Sequence, residues 1–255
     1  MPDIQDERED RGIALDRVGV KGLSHPVRIR DRSGREHEVA GTVRAFVSLP
    51  AQARATHMSR FLAALSRQSA PLDGGSLRSL LEEIREGLGA PSAGIEVSFP
   101  FFVDKTAPST GSRSTMACEA RLHAVLDSSF RLTTGVRVPV MTLCPCSVRA
   151  QGLPGLAQRG YVSVSVRSAR AVTLEDLVDL VERCASSPVY PLLRAEDERA
   201  LLASALARPL FVEDIVRNAA QALDGTDGIE WYEVEAENLE SAHDHSAFAS
   251  CERGR

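Results

Sequence analysis

Two short segments carry side chains whose types and spacing suit metal chemistry. One is Cys144-Pro145-Cys146-Ser147, with two thiols one residue apart. The other is Glu240-Ser241-Ala242-His243-Asp244-His245, with two imidazoles one residue apart. Thiolate and imidazole are the soft and borderline ligands that zinc-like ions take. Cys-x-Cys without a second Cys pair is not a zinc-finger spacing. Each segment alone also reads as structure, either two thiols at a strand end or two solvated rings.

The elements that must position these groups show in the hydrophobic periodicity. Residues 13–30 and 36–48 alternate apolar and polar side chains, with the turn signal Asp31-Arg32-Ser33-Gly34 between them, which predicts a hairpin. Met58, Phe61, Leu62 and Leu65 recur at helical spacing, and so do Leu77, Leu80, Leu81, Ile84 and Leu88. Residues 94–103 and 115–127 read as strands again. The second half repeats that order, with strands over 132–143 and 160–168, a helix from Thr173 and another near Pro209. A last strand covers 229–237. Asp176 stands three residues after Thr173, as a capping box requires. The expected fold is α+β, two related modules of antiparallel sheet and helices, residues 1–130 and 131–255. Cys144 and Cys146 then end a strand and open a loop, where a fixed backbone meets a free side chain.

Composition narrows the function. The chain has 255 residues, 43% of them apolar, enough for a proper core. A net charge of −5 argues against a general nucleic-acid surface. No apolar run approaches the roughly 18 residues that span a membrane. The first ten residues are acidic and are no signal peptide. Five cysteines without an export signal point to reduced thiols and a cytoplasmic location. Cys118, on an expected strand, and Cys184, on an expected helix, read as small buried hydrophobes.

Further segments stand in order around the two that open this section. They are Gly19-Val20, His57-Met58-Ser59-Arg60-Phe61, Lys105-Thr106-Ala107-Pro108, Gln158-Arg159, Pro209-Leu210-Phe211-Val212-Glu213-Asp214 and Glu237-Asn238-Leu239. With Thr142-Leu143-Cys144-Pro145-Cys146-Ser147 they resemble the type IB GTP cyclohydrolase family, a metal-dependent class that makes dihydroneopterin triphosphate on the way to pterins and folate. The resemblance runs from about residue 3 to about residue 250. It implies tandem tunnelling-fold modules whose sheets close into a barrel in a homotetramer or homodimer. It implies a divalent transition metal (zinc, manganese or iron) held by Cys144, Glu198 and His243. Cys146, His245 and His57 take catalytic roles by the same resemblance. Glu213 faces the guanine, and Lys105, Arg60 and Arg159 meet the triphosphate. Read without the family, Glu198 lies in a solvated charge run, Glu213 is an acidic first-turn residue that suits the helix dipole, and the cations are surface charges. His25, His37 and His123 read as ordinary histidines.

The pattern also departs from the family. Before Gln158-Arg159 the family carries Gly-Ala-His-Asn, where this chain has Pro154, Gly155, Leu156 and Ala157, so a metal-ligating His is replaced by Leu156. Leu201-Leu202-Ala203 stand where Val-Thr-Glu is usual, Ala55 where Gly is, and Arg54 where Lys is. The expectation is a diverged GTP cyclohydrolase that opens the guanine imidazole ring at C8. The alternatives are a paralogue acting on another purine and a non-catalytic oligomerising partner.

Overall fold

The computed structural model describes residues 5, 8, 11–149, 156–241 and 243–254. The elements are antiparallel strands and helices in the order β1 (Leu15–Arg30), β2 (Glu36–Leu49), α1 (Met58–Arg67), α2 (Gly74–Leu88), β3 (Ala93–Thr106), β4 (Arg113–Leu126), β5 (Phe130–Leu143), α3 (Pro145–Arg149), β6 (Ala157–Ser168), α4 (Leu174–Cys184), β7 (Ser187–Pro188), α5 (Ala195–Ala207), α6 (Val212–Asp224), β8 (Ile229–Leu239) and β9 (Ser246–Gly254). The fold is α+β, as the alternation of patterns requires. Its contacts divide into two compact units, residues 1–99 with 121–133, and residues 100–120 with 134–255. Strands β3, β4 and β5 therefore each contribute to both.

In the first unit β1 and β2 form the expected hairpin. Asp31 holds its turn by accepting from the Ser33 and Arg35 amides at 2.9 and 3.0 Å. Those bonds and the His37 ring at 2.7 Å keep the Asp31 carboxyl well below the usual carboxylate range, His37 first. Helix α2 starts on a capping box between Asp73 and Ser76 and ends at Gly89 in the left-handed conformation, φ 58°. The apolar rows of the strands, Val43 and Ile95 among them, bury with Phe61, Leu65, Leu77 and Leu81 of the helices.

In the second unit β5 pairs with β6, β6 with β8, and β8 with β9. Short β7 pairs with the end of β5, at Val140 and Met141. Val162, Val164 and Val166 alternate into a core shared with Leu177 and Val181 of α4 and Ile215 of α6. The Thr173–Asp176 capping box of α4 is present, with both bonds at 3.1 Å. Cys118 and Cys184 are buried as expected, and burial pushes the Cys118 thiol up to about 12.

Four elements escape the periodicity, among them the two-residue β7 and the short α3, which puts Cys146 in a helical turn where the pattern predicts a loop. Helix α5 buries only Asp197, Leu201 and Ala205, and it leaves Leu202 and Leu206 exposed. It has no apolar stripe, so its sequence looks like a charge run. Strand β9 has no fully buried residue; the face that packs on the core, Ala247, Ala249 and Cys251, is half-buried and made of small side chains.

Candidate functional site

The register of the second unit decides which segments meet. The last residue of β5, Leu143, pairs with Ala157 at the start of β6, and Thr142 stands opposite Gln158. Across the next ladder Gly160 pairs with Asn238, so the end of β8 arrives at the same place. The Gln158 side-chain amide donates to Glu240 at 2.6 Å and ties the two segments together. On the other side the Leu210 amide donates to the Leu143 carbonyl at 3.0 Å, which brings in the start of α6. Segments 142–147, 156–158, 209–214 and 238–246 therefore assemble at one end of the sheet in this unit.

Cys144 follows β5 and is half-buried, and Cys146 is exposed in α3. The Ser147 hydroxyl donates to the Cys144 carbonyl at 2.7 Å and accepts from the Leu156 amide at 3.2 Å. Leu156 is thereby held next to Ser147 and sits 54% exposed beside the thiol segment. Of the expectations over 150–157, those on 150–155 lie outside the described residues. His243 and His245 occupy the turn between β8 and β9, both exposed, with ring centroids 5.0 Å apart. The Asp244 carboxylate lies 3.3 Å from His245 Nδ1. Glu213 is exposed in the first turn of α6, where an acidic side chain suits the helix dipole.

Glu198 comes from a different helix. It is exposed in the first turn of α5, and the end of that helix leads to Leu210 and Leu143. Among the described residues no group of three or more His, Cys, Asp or Glu side chains is placed to hold a metal ion. Cys144, Glu198 and His243 have the donor chemistry of a borderline metal, yet one chain does not gather them.

The cations divide three ways. Lys105 is buried, with its ammonium 2.6 Å from both Glu182 oxygens and 4.5 Å from the centre of the Tyr190 ring. Arg159 is exposed and lines a cleft of about 600 Å³ with Arg137, Tyr161 and Glu119. Arg137 lies 3.7 Å from the centre of the Tyr161 ring. His57 and Arg60 belong to the first unit, at the start of α1, where the Arg60 guanidinium donates to the Gly87 carbonyl.

Three residues of the second unit have partners that the sequence does not announce. Glu240 is the carboxylate to which Gln158 donates. Glu182 is the partner of Lys105. Asp197 is fully buried, and although burial alone would raise its carboxyl, the donors around it outweigh that and hold its pKa at about 2. All three make pairings at long sequence separation, which periodicity does not register.

A family model for type I GTP cyclohydrolase folE2 matches residues 1–249. The chain is 41% identical over 257 residues to the GTP cyclohydrolase FolE2 of Geotalea uraniireducens, covering 100% of this chain and 94% of that one. It is 45% identical over 257 residues to that of Nitratidesulfovibrio vulgaris, covering 99% and 96%. Among solved structures it resembles the uricase of Arthrobacter globiformis, with a TM-score of 0.53 and 10% identity over 94% of this chain and 93% of that one. A thermostable mutant of the Bacillus urate oxidase gives a TM-score of 0.56 at 10% identity, over 94% and 99%. At that identity the uricases share the fold alone. Sequence identity near 40% along the whole length is stronger than scattered motifs, and the chain belongs to the type I GTP cyclohydrolase FolE2 family.

Proposed function

We propose that the protein is an enzyme, a GTP cyclohydrolase. It hydrolytically opens the guanine imidazole ring at C8, releases formate and yields dihydroneopterin triphosphate. The observation that carries this reading is identity to FolE2 enzymes over essentially the whole chain. The assembly of segments 142–147, 209–214 and 238–246 at one end of a sheet supports it, because those are the segments on which the resemblance rests.

Glu213 accepts hydrogen bonds from guanine N1–H and the 2-amino group, two donors that match two carboxylate oxygens. Cys146 and His245, beside Cys144 and His243, hold and move protons at the reacting end, and His57 is a further proton-transfer residue. Arg159, Arg60 and Lys105 meet the triphosphate. Lys105 needs to leave Glu182 to do so. A divalent ion such as zinc, manganese or iron, when bound, supplies a water whose pKa falls to about 7. Cys144, Glu198 and His243 are its ligands in this reading. Their chemistry suits it, although the described residues of one chain do not bring three such ligands together.

The same reading covers the larger organisation. Residues 1–130 and 131–255 are two tunnelling-fold modules, supported by strand–strand–helix–helix–strand–strand in the first and by the same elements with insertions in the second. Their sheets close into a barrel in a homotetramer or homodimer. No helix among the described residues is long and apolar enough to cross a membrane, and five free thiols suit a cytoplasmic enzyme.

The test is direct. Purified, metal-loaded protein incubated with GTP releases formate and a fluorescent pterin in equal amounts. Formate-free recovery of GTP overturns the reading.

A further inference from the structure

The first turn of α5 holds a carboxylate in an unusual place. Helix starts commonly carry an acidic residue on the surface. Asp197 instead points inward and is 0% exposed. Its Oδ1 accepts from the Ser109 and Thr110 amides, both at 2.9 Å. Its Oδ2 accepts from the Thr110 hydroxyl at 2.8 Å and from the Arg194 amide at 3.0 Å. Four donors thus meet one carboxylate, two per oxygen. Three come from the loop between β3 and β4, 87 to 88 positions away. The loop is rigid in its own right. Ala107 and Ser112 bond across it at 2.9 Å, and Gly111 supplies the left-handed turn at φ 68°. The Ser109 hydroxyl donates to the Glu196 carbonyl at 3.3 Å as a second tie.

The residue after this clamp is Glu198. Its amide donates to the Arg194 carbonyl at 3.0 Å, the first helical bond of α5. Its side chain is exposed and makes no hydrogen bond or ion pair with another described residue. The backbone under Glu198 is therefore held from both sides of the helix start, while the carboxylate itself is left to solvent. Burying an ionised group is costly unless every lone pair is satisfied. A surface capping residue would start the helix with no such demand. What the buried arrangement adds is a fixed frame in a turn that otherwise frays.

We propose that Asp197 is a positioning residue for the reaction, which locks the first turn of α5 to the 107–112 loop and so sets where the Glu198 carboxylate is presented. This rests on Glu198 being a site residue, as proposed above. Misplacing a reacting group by about 1 Å costs on the order of a hundredfold in rate, so a frame of this kind affects turnover more than affinity for GTP.

The experiment is a double-mutant cycle with Asp197→Asn, Glu198→Gln and both together. It is read by GTP turnover and by Mn²⁺ uptake of the metal-free protein. Asn keeps the shape but turns an amide N–H₂ toward donors. Asp197→Asn should lower kcat at least roughly tenfold, with KM for GTP changed less than about twofold, and should weaken Mn²⁺ uptake. Added to Glu198→Gln it should cost nothing further, because it acts through that residue. Thr110→Val removes one donor only and should give a smaller loss in the same direction, even if Asp197→Asn folds poorly. Equal losses from Asp197→Asn with and without Glu198→Gln overturn the inference, as does wild-type turnover and Mn²⁺ uptake in Asp197→Asn. A Glu198→Gln protein that behaves as wild type overturns the reading of Glu198 itself.

Discussion

The Lys105 side chain, 8% exposed with its ammonium between two carboxylate oxygens and a tyrosine ring, has to leave that pair before it can meet a substrate. Removing one member of such a buried pair leaves the other charged in a dry place, which costs about 3–5 kcal/mol. Lys105→Met should therefore lower the urea midpoint sharply, and adding Glu182→Leu should recover most of the loss. If Lys105→Met leaves stability intact and raises KM for GTP, the lysine works on the triphosphate. Glu213 makes the opposite case, an exposed carboxylate whose proposed partner is the guanine edge. Adenine has an acceptor at N1 and lacks the 2-amino group, so it leaves that carboxylate unpaired. At about 1.4 kcal/mol per decade, GTP should bind at least roughly tenfold better than ATP. Glu213→Gln should erase most of that preference in equilibrium binding without changing metal content. His123 carries the pH dependence. Burial pushes its pKa down, and of the charges facing it Glu96 opposes that while Arg17 and Arg44 add to it. Its Nε2 is buried without a hydrogen-bond partner among the described residues. A depressed folded pKa means that the stability from a neutral ring is present above about 6.5 and is lost as the pH falls below it. The thermal midpoint should drop between pH 7 and 5 in the native protein and drop less in His123→Phe.

Elements with a periodic face were readable from residues alone. The hairpin of β1 and β2, the capped helix α4, and strands β5, β6 and β8 fall within a few residues of their expected ends, because burial on one face imposes the alternation. Helix α5 was not readable, since it buries an aspartate and two small stretches of apolar surface rather than a stripe. Strand β9 was not, since its inward face is only half-buried and is built from the small side chains Ala247, Ala249 and Cys251. The site divides the same way. Cys144, Glu213 and the histidines stand in distinctive local segments, whereas Asp197 and Glu240 are defined by partners 87 and 82 positions away. The substitution at Leu156 weighed toward a diverged chain, but identity near 40% over the full length outweighs one position. Close backbone approach gives the element-scale test. A Cβ on Gly19 would lie 2.0 Å from the Ala45 carbonyl oxygen and 2.7 Å from the Phe46 Cα, atoms of the partner strand that cannot rotate away. Gly19→Ala should force β1 off β2 and cost on the order of 1–3 kcal/mol, seen as a lower urea midpoint at an unchanged slope.

At the scale of the molecule the proposed barrel has a physical motive. β1 and β9 end the strand order, each paired on one side within the chain. β9 also carries Phe248, 70% exposed. Open edges invite pairing with another copy, so the protein should sediment as a dimer or tetramer. Strands β3, β4 and β5 add a constraint of a different kind. A chain severed between residues 130 and 131 yields an N-terminal piece that carries residues 100–120, whose contacts belong with 134–255. The C-terminal piece then lacks the parts of β3 and β4 that belong to its own unit. Expressed separately, each piece should be poorly folded and give weak amide-exchange protection. Mixed in equal amounts they should reconstitute one another, as complementing fragments do when a break falls inside a cooperative unit rather than between two. Gene fusion or duplication at that junction would then be tolerated only while both halves remain within reach of each other.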